Sequence, residues 1–175
     1  HPNCSKIEGD VIIEDGNFKD NAIINLDGLS ALTSIEGNLS IKNNDHLENI
    51  TGLKNLTSIG GFLTIESNIA LNSLSGLDNI NSGSIIDVSI VGNTALSACA
   101  VKSICEYIAA SGGIIIIQDN AAGCDNLDEV EAACDTLSLA EISFNLVIKV
   151  FPNPFSQATT LSFRLERPEN VHFTV

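Results

Sequence analysis

Histidines, the side chains best suited to acid–base chemistry near neutral pH, are few and scattered in this 175-residue chain. The histidines are His1, His46 and His172, and His46 stands at a turn position that Ala70 and Ala95 occupy in similar segments. The sequence contains no GxSxG, HExxH, phosphate-binding glycine loop or paired-cysteine metal motif. We therefore predict that the chain is not an enzyme, and that it has no catalytic residue, metal or cofactor.

Carboxylates are abundant, and they restrict the partners more than they suggest a reaction. Eight basic and 22 acidic side chains give a formal charge of −14, which repels nucleic acid and anionic membrane surfaces. An acidic loop could attract calcium but lacks the spacing of a known loop, so we interpret it as a solvated cap: Asp119, Asp125, Asp128 and Glu129. The apolar run from Ile114 to Ile117 is too short to span a bilayer and predicts a buried strand.

The cysteines indicate an oxidising compartment. Four lie close together near the end of the repeats and predict two disulfides: Cys99, Cys105, Cys124 and Cys134. Spacing does not determine their connectivity; we favour a crossed pairing of Cys99 with Cys124 and Cys105 with Cys134. Cys4 remains, and no histidine is placed to activate it as a nucleophile. Because the sequence opens at His1 without methionine, we expect it to be a fragment, with Cys4 able to pair upstream.

Five copies of one short pattern position these residues. The clearest two, GNLSIKNN and GFLTIESN, are parts of segments whose apolar positions recur 24 residues apart. Alternation of apolar and polar residues within each copy has the two-residue period of a strand. A fixed period of this length predicts stacked repeats. We expect parallel strands at about residues 11–13, 39–41, 63–65, 88–90 and 115–117.

An amide recurs just after four of these strands: Asn44, Asn68, Asn93 and Asn120. An asparagine there can bond backbone groups of its own turn and of the next repeat, so we predict a structural ladder. After the fourth repeat, Val101, Ile104 and Ile108 fall at helical spacing, and Asn126 with Glu129 resembles a capping box that begins a second short helix ending near Cys134.

The outward face of the predicted sheet is the candidate binding surface. Aligning the repeats gives one row of Asp10, Asn38, Phe62 and Asp87, and two further rows that hold Ile12, Ser40, Thr64 and Ser89, and Glu14, Lys42, Glu66 and Val91. From these we select Ile12, Ser40, Lys42, Phe62, Thr64, Glu66, Ser89 and Val91 as candidate binding residues. Phe62 and Ile12 either anchor a partner or are covered by a loop or an upstream domain. One tyrosine and no tryptophan argue against sugar stacking, which favours a protein partner over a glycan.

The five repeats, together with the opening NCSKIEGDVII, resemble the receptor L domain branch of leucine-rich-repeat proteins from Asn3 to about Asp135. The cysteine-bearing ending is similar to that of L-domain-like proteins secreted by Bacteroidetes. This resemblance implies an α/β repeat, specifically a short right-handed solenoid with a parallel β-sheet face and a helical disulfide cap. It also implies a binding role, although fold alone does not identify a ligand.

The last residues, VIKVFPNPFSQATTLSFRL and beyond, resemble the start of the C-terminal sorting domain of type IX secretion cargo. The resemblance depends on a turn formed by Pro152, Asn153, Pro154 and Phe155, and the alternative is an unrelated β-sandwich fragment. We expect a domain at 1–135, a linker at 136–146, and a truncated Ig-like sorting segment at 147–175. The type IX machinery would be a partner, and the location would be outside a bacterium or on its outer surface.

Two functions remain open from the sequence. The first is a secreted or surface-displayed binding module for an extracellular protein or glycan, including a role in adhesion. The second is an accessory domain of a larger exported hydrolase whose catalytic domain lies upstream.

Overall fold

Five strands at the predicted positions form one parallel sheet in the computed structural model. The structure describes residues 4–15, 22–110 and 112–141, with side chains through residue 136. These residues belong to one unit, residues 1–142. The predicted turn residues Pro152, Asn153, Pro154 and Phe155, and the rest of the 147–175 segment, lie outside the described residues.

Two parallel sheets run through the repeats. The strands in chain order are β1 (Lys6–Ile7), β2 (Val11–Glu14), β3 (Ser34–Ile35), β4 (Leu39–Lys42), β5 (Ser58–Ile59), β6 (Leu63–Glu66), β7 (Val88–Val91) and β8 (Ile115–Gln118). The five-stranded sheet has the order β2-β4-β6-β7-β8, and the three-stranded sheet has the order β1-β3-β5. Short 3₁₀ helices lie in three of the connections: Asp27–Leu29, Thr51–Leu53 and Ser82–Ser84.

Strand alternation directs one set of side chains into the core. Leu39 and Ile41 of β4 are fully buried, and the core also contains Ile35 and Ile59 from the smaller sheet. Burying an aliphatic side chain of this size stabilises the fold by about 1.5–3 kcal/mol. Each repeat contributes such residues to a core shared with its neighbours, so the stack depends on contacts between repeats.

The smaller sheet was not predicted, although the sequence carries a signal for it. Thr33-Ser34-Ile35 recurs as Thr57-Ser58-Ile59, again 24 residues later. These strands are only two residues long, and a segment of that length is too short to show the alternation by which a strand is recognised. At the far end Ser84 replaces a further strand, since its hydroxyl accepts the backbone N–H of Ile59 at 3.2 Å.

The expectation of a buried strand at Ile114–Ile117 was wrong for half of its residues. Ile117 is buried, whereas Ile114 and Ile116 are 64% and 43% exposed. The cause is strand alternation in β8, which directs only Ile117 and, in part, Ile115 into the core.

The predicted asparagine positions form a continuous hydrogen-bonded series. Asn44 donates from its backbone N–H and from Nδ2 to Asn68 Oδ1, at 3.2 and 2.9 Å. Asn68 donates to Asn93 Oδ1 in the same way, and Asn93 donates to Asn120 Oδ1. Nδ2 of Asn68 also reaches the carbonyls of Ile41 and Glu66, so these amides link neighbouring repeats.

The residue before each ladder asparagine adopts the left-handed backbone conformation. These residues are Asn43, Ser67, Gly92 and Asp119, with φ of 53°, 55°, 71° and 58°. Glycine adopts this conformation freely and asparagine tolerates it, whereas Ser67 sits there at a cost of about 1 kcal/mol. The repeated conformation turns the chain so that the next amide points into the stack.

Two helices and two disulfides close the last repeats. Helix α1 spans Lys102–Ala110 and helix α2 spans Leu127–Glu141, so α2 continues past Cys134 into the segment predicted as a linker. The structure joins Cys99 to Cys124 and Cys105 to Cys134, which is the crossed pairing. Cys4 is free and exposed.

The start of α2 differs from a standard capping box. Asn126 Oδ1 accepts the N–H of Glu129 at 3.0 Å, as that motif requires. The Glu129 carboxylate accepts instead from the backbone N–H groups of Gly123 and Asp125, at 2.7 and 3.1 Å. One of the acidic side chains that we considered for calcium is therefore used to hold its own loop.

Removing one amide from the ladder should destabilise the fold strongly. We expect Asn68→Ala to lower the free energy of unfolding by on the order of 3 kcal/mol, because buried backbone groups left without partners cost about 1–3 kcal/mol each. Urea unfolding followed by circular dichroism measures the change. The matched control is Asn72→Ala at an exposed neighbouring position, which should shift stability by less than about 0.5 kcal/mol. Equal effects of the two substitutions would contradict the structural role of the ladder.

Candidate binding surface

Strand register places the predicted surface residues in rows on the outward face, the side of the five-stranded sheet that points away from the core. The middle row runs Ile12, Ser40, Thr64, Ser89 and Ile116. The next row runs Glu14, Lys42, Glu66, Val91 and Gln118. The structure thus brings all the predicted surface residues together, with Phe62 directly before β6.

Ile116 and Gln118 are members of these rows that we did not select from the sequence. The signal was present, because GGIIIIQDN aligns with GGFLTIESN and places Ile116 in the same row as Thr64. Ile12 on β2 and Ile116 on β8 lie at opposite ends of the middle row, on the first and last strands of the sheet. Ile12 is 69% exposed, so the middle row is polar at its centre and apolar at both ends.

The charged side chains of the row that begins with Glu14 contact near neighbours. Lys42 Nζ lies 3.9 Å from Glu66 Oε2, and both side chains are well exposed. Glu14 does not complete the alternating series that the rows suggested, because its carboxylate accepts from Asn43 Nδ2 at 2.9 Å. An exposed ion pair of this kind contributes less than about 1 kcal/mol to stability, so these charges are available to a partner at low cost.

The residues just before the strands form what we call the amino-terminal rim of the sheet: Asp10, Asn38, Phe62, Asp87 and Ile114. Asp10 Oδ1 accepts the backbone N–H of Asn38 at 2.8 Å. In the same manner Asn38 Oδ1 accepts the N–H of Phe62, and Asp87 Oδ1 accepts the N–H of Ile114, both at 2.7 Å. Three rim side chains are thus occupied by the backbone of the following repeat, and Phe62 interrupts the series.

Glycines follow the same series. A Cβ added at Gly37 or Gly61 would overlap the side-chain oxygen of Asp10 or Asn38 respectively. A Cβ added at Gly113 would overlap the Ile86 carbonyl oxygen and the Tyr107 hydroxyl, and it would also come too close to Asp87 Oδ1. Glycine is therefore required at the position where the preceding repeat supplies a carboxylate or amide oxygen. The repeat after Phe62 has Ile86 at this position, since no such oxygen has to be accommodated there.

The Phe62 side chain has no oxygen that could accept a backbone N–H of the following repeat, and apolar side chains occupy this part of the rim. Phe62 is 47% exposed, Ile86 is 53% exposed and Ile114 is 64% exposed. The backbone of Ile86 and Ile114 is held by Tyr107 of α1, whose hydroxyl contacts their carbonyl oxygens at 2.7 and 3.3 Å. Burial, with a smaller contribution from Asp87, raises the pKa of Tyr107 above its ordinary value.

The groups that could support other chemistry do not come together. Within residues 4–15, 22–110 and 112–136, no three His, Cys, Asp or Glu side chains are arranged to hold a metal ion. His46 lies exposed in the turn that follows β4. None of the described helices is long and apolar enough to cross a membrane.

Short parallel repeats, an outward sheet face and a cap with two disulfides together define a repeat-built module of the ligand-binding class. The sequence profile described as Receptor L domain matches residues 3–133, and the chain therefore belongs to the receptor L domain family. This is a family of non-catalytic modules that bind extracellular ligands. No curated protein and no solved structure matches the chain.

Replacing the Tyr107 hydroxyl should change how stability depends on pH. Because the pKa of Tyr107 is raised in the folded protein, its stabilising contribution is complete below about pH 10 and falls as the pH rises towards the folded-state value. We expect Tyr107→Phe to cost about 1 kcal/mol at pH 8 and to remove this alkaline fall. Urea unfolding of both proteins at about pH 8 and about pH 10.5 measures the difference. Parallel pH profiles would contradict the prediction, and the single tyrosine allows a direct ultraviolet titration as a check.

Proposed function

We propose that this protein is an extracellular binding module whose repeats form a short right-handed solenoid and present the outward sheet face to another macromolecule. The observation that carries the proposal is the composition of that face. The side chains at its centre, those of Ser40, Thr64 and Ser89, are short and polar. The exposed Ile12 and Ile116 lie on either side of them. A rigid polar platform with exposed apolar side chains at its borders is suited to contact a partner over several strands.

The chemistry of the surface favours a protein over a glycan as the partner. The only tyrosine, Tyr107, is buried beneath the rim, and the sequence has no tryptophan to stack on a sugar ring. The charge of −14 disfavours nucleic acid and anionic lipid. Adhesion to a neighbouring cell or to extracellular matrix is compatible with these properties.

Binding by the face can be tested on an array of extracellular proteins and glycans. We expect at least one protein to bind, and we expect Thr64→Lys and Ser89→Lys each to weaken that binding by about tenfold or more, because the new side chain projects from the centre of the contact. The matched control is Asn72→Lys, which makes the same change of charge at an exposed position outside the five-stranded sheet. Binding that is equally sensitive to all three substitutions, or to none, would contradict a role for the face.

We also propose that the segment from residue 147 onward is the beginning of a type IX sorting domain with an Ig-like β-sandwich, which would place the protein outside a bacterium of the Bacteroidetes. The support is the sequence VFPNPF and the alternating strand pattern after it. In the full exported protein, replacing Pro152 and Pro154 by alanine should retain the protein in the periplasm, as measured by immunoblotting of cell fractions. Alanine replacement of Pro168, outside the motif, is the control; normal release of the Pro152/Pro154 variant would rule out this route.

A further inference from the structure

We propose that Phe62, Ile86 and Ile114 form a docking site for a segment of a basic protein that presents an apolar side chain next to lysine or arginine. This inference rests on the proposed binding function and specifies the place and the partner chemistry. Three observations carry it: the interruption of the rim series, the backbone of Ile86 and Ile114 that Tyr107 holds, and the charge around the three side chains.

The first observation separates these residues from the needs of the fold. Three repeats use an Asp or Asn oxygen to bind the next backbone N–H, with glycine opposite it. Phe62 stands where the other three repeats have Asp or Asn, and Ile86 stands where they have glycine. The chain gives up a hydrogen bond worth about 1 kcal/mol and exposes two large apolar side chains. The Ile86 N–H donates instead to the Gly61 carbonyl oxygen at 3.0 Å, so the backbone joins these two repeats and the exposed side chains of Phe62 and Ile86 are left for a binding surface.

The second observation is that the site is held in place before any partner arrives. In the sheet register Phe62 lies opposite Asp87, and Asp87 lies opposite Ile114, so Phe62 and Ile114 are two strand spacings apart, about 10 Å. The Tyr107 hydroxyl holds the carbonyls of Ile86 and Ile114. Because Asp87 lies between them, this width suits the alkyl stem and charged head of a lysine or arginine, with the neighbouring apolar side chain of the partner against Phe62 or Ile114. A backbone that is already held reduces the entropy lost on binding.

The third observation concerns the sign of the partner's charge. Asp87 lies between Phe62 and Ile114, and two lysines elsewhere on the described repeats are each close to a carboxylate, Lys6 to Glu36 and Lys42 to Glu66. A chain with a net charge of −14 attracts a basic partner and repels a second copy of itself. A cationic protein segment with an apolar side chain therefore matches the site, and self-association through it is disfavoured.

Two exposed isoleucines elsewhere provide internal controls. Ile69 is 49% exposed, almost the same as Phe62, and it lies beyond the opposite end of β6. Ile24 is 60% exposed in the connection between β2 and β3. Neither lies on the rim, so a loss of binding at Phe62 that is not seen at Ile69 separates docking at this site from general stickiness.

The test uses displayed random peptides of about 12 residues, selected on the complete disulfide-bonded chain. We expect enrichment of peptides in which apolar residues adjoin Lys or Arg, and an affinity that falls as salt rises from about 50 to about 300 mM. Phe62→Ser and Ile114→Ser should each weaken the selected peptides by about tenfold or more, and Ile69→Ser by less than about twofold. Absence of enrichment, or enrichment of acidic or purely apolar peptides, would overturn the proposal.

A second variant keeps the test decisive if single substitutions disturb folding. The double variant F62N/I86G supplies the missing amide oxygen together with the glycine that accommodates it. We expect it to unfold at a urea concentration equal to or above that of F62N alone, and to lose peptide binding. A well-folded double variant that still binds the peptides would show that the site is wrong. If the proteins found on the array depend on Thr64 and Ser89 but bind this variant normally, the face still functions and only the rim docking site fails.

Discussion

Buried backbone groups in each repeat must find their partners in the next repeat, and this requirement controls the rest of the structure. The asparagine ladder meets it at one end of the strands, where each amide binds both its own turn and its neighbour. A left-handed residue before each amide is the local cost of aiming it inward. Because the same geometry must recur, the strand residue Leu39, Leu63, Val88 or Ile115 comes five positions before its ladder asparagine in each of these four repeats.

The rim meets the same requirement with different residues. Asp10, Asn38 and Asp87 each bind one backbone N–H of the following repeat, and a glycine leaves space for the oxygen. Carboxylates that seem free in the sequence are thus part of the framework, and this reduces the surface on which a ligand could be recognised. The departure at Phe62 and Ile86 is informative because the pattern around it is so regular.

Closure of the stack explains the cap. A last repeat has no neighbour to bury its apolar side chains, and here α1, α2 and the two disulfides take that role. Tyr107 links the cap to the rim, since one hydroxyl from α1 holds the backbone of two consecutive repeats. The cap therefore fixes part of the candidate binding surface as well as ending the core.

The sequence by itself determined the five strands, their register and the ladder positions, because a motif that recurs every 24 to 28 residues and a two-residue alternation leave little freedom in how repeats stack. Tertiary structure decided what these signals do not encode. Glu14 takes Asn43 as its partner, the Asp87 carboxylate accepts the N–H of Ile114, and the Tyr107 hydroxyl reaches the carbonyls of Ile86 and Ile114. Each of these depends on which groups from distant repeats meet at one place. Chain periodicity specifies the stacking of repeats, whereas the partners of individual polar atoms are set only when the stack has formed.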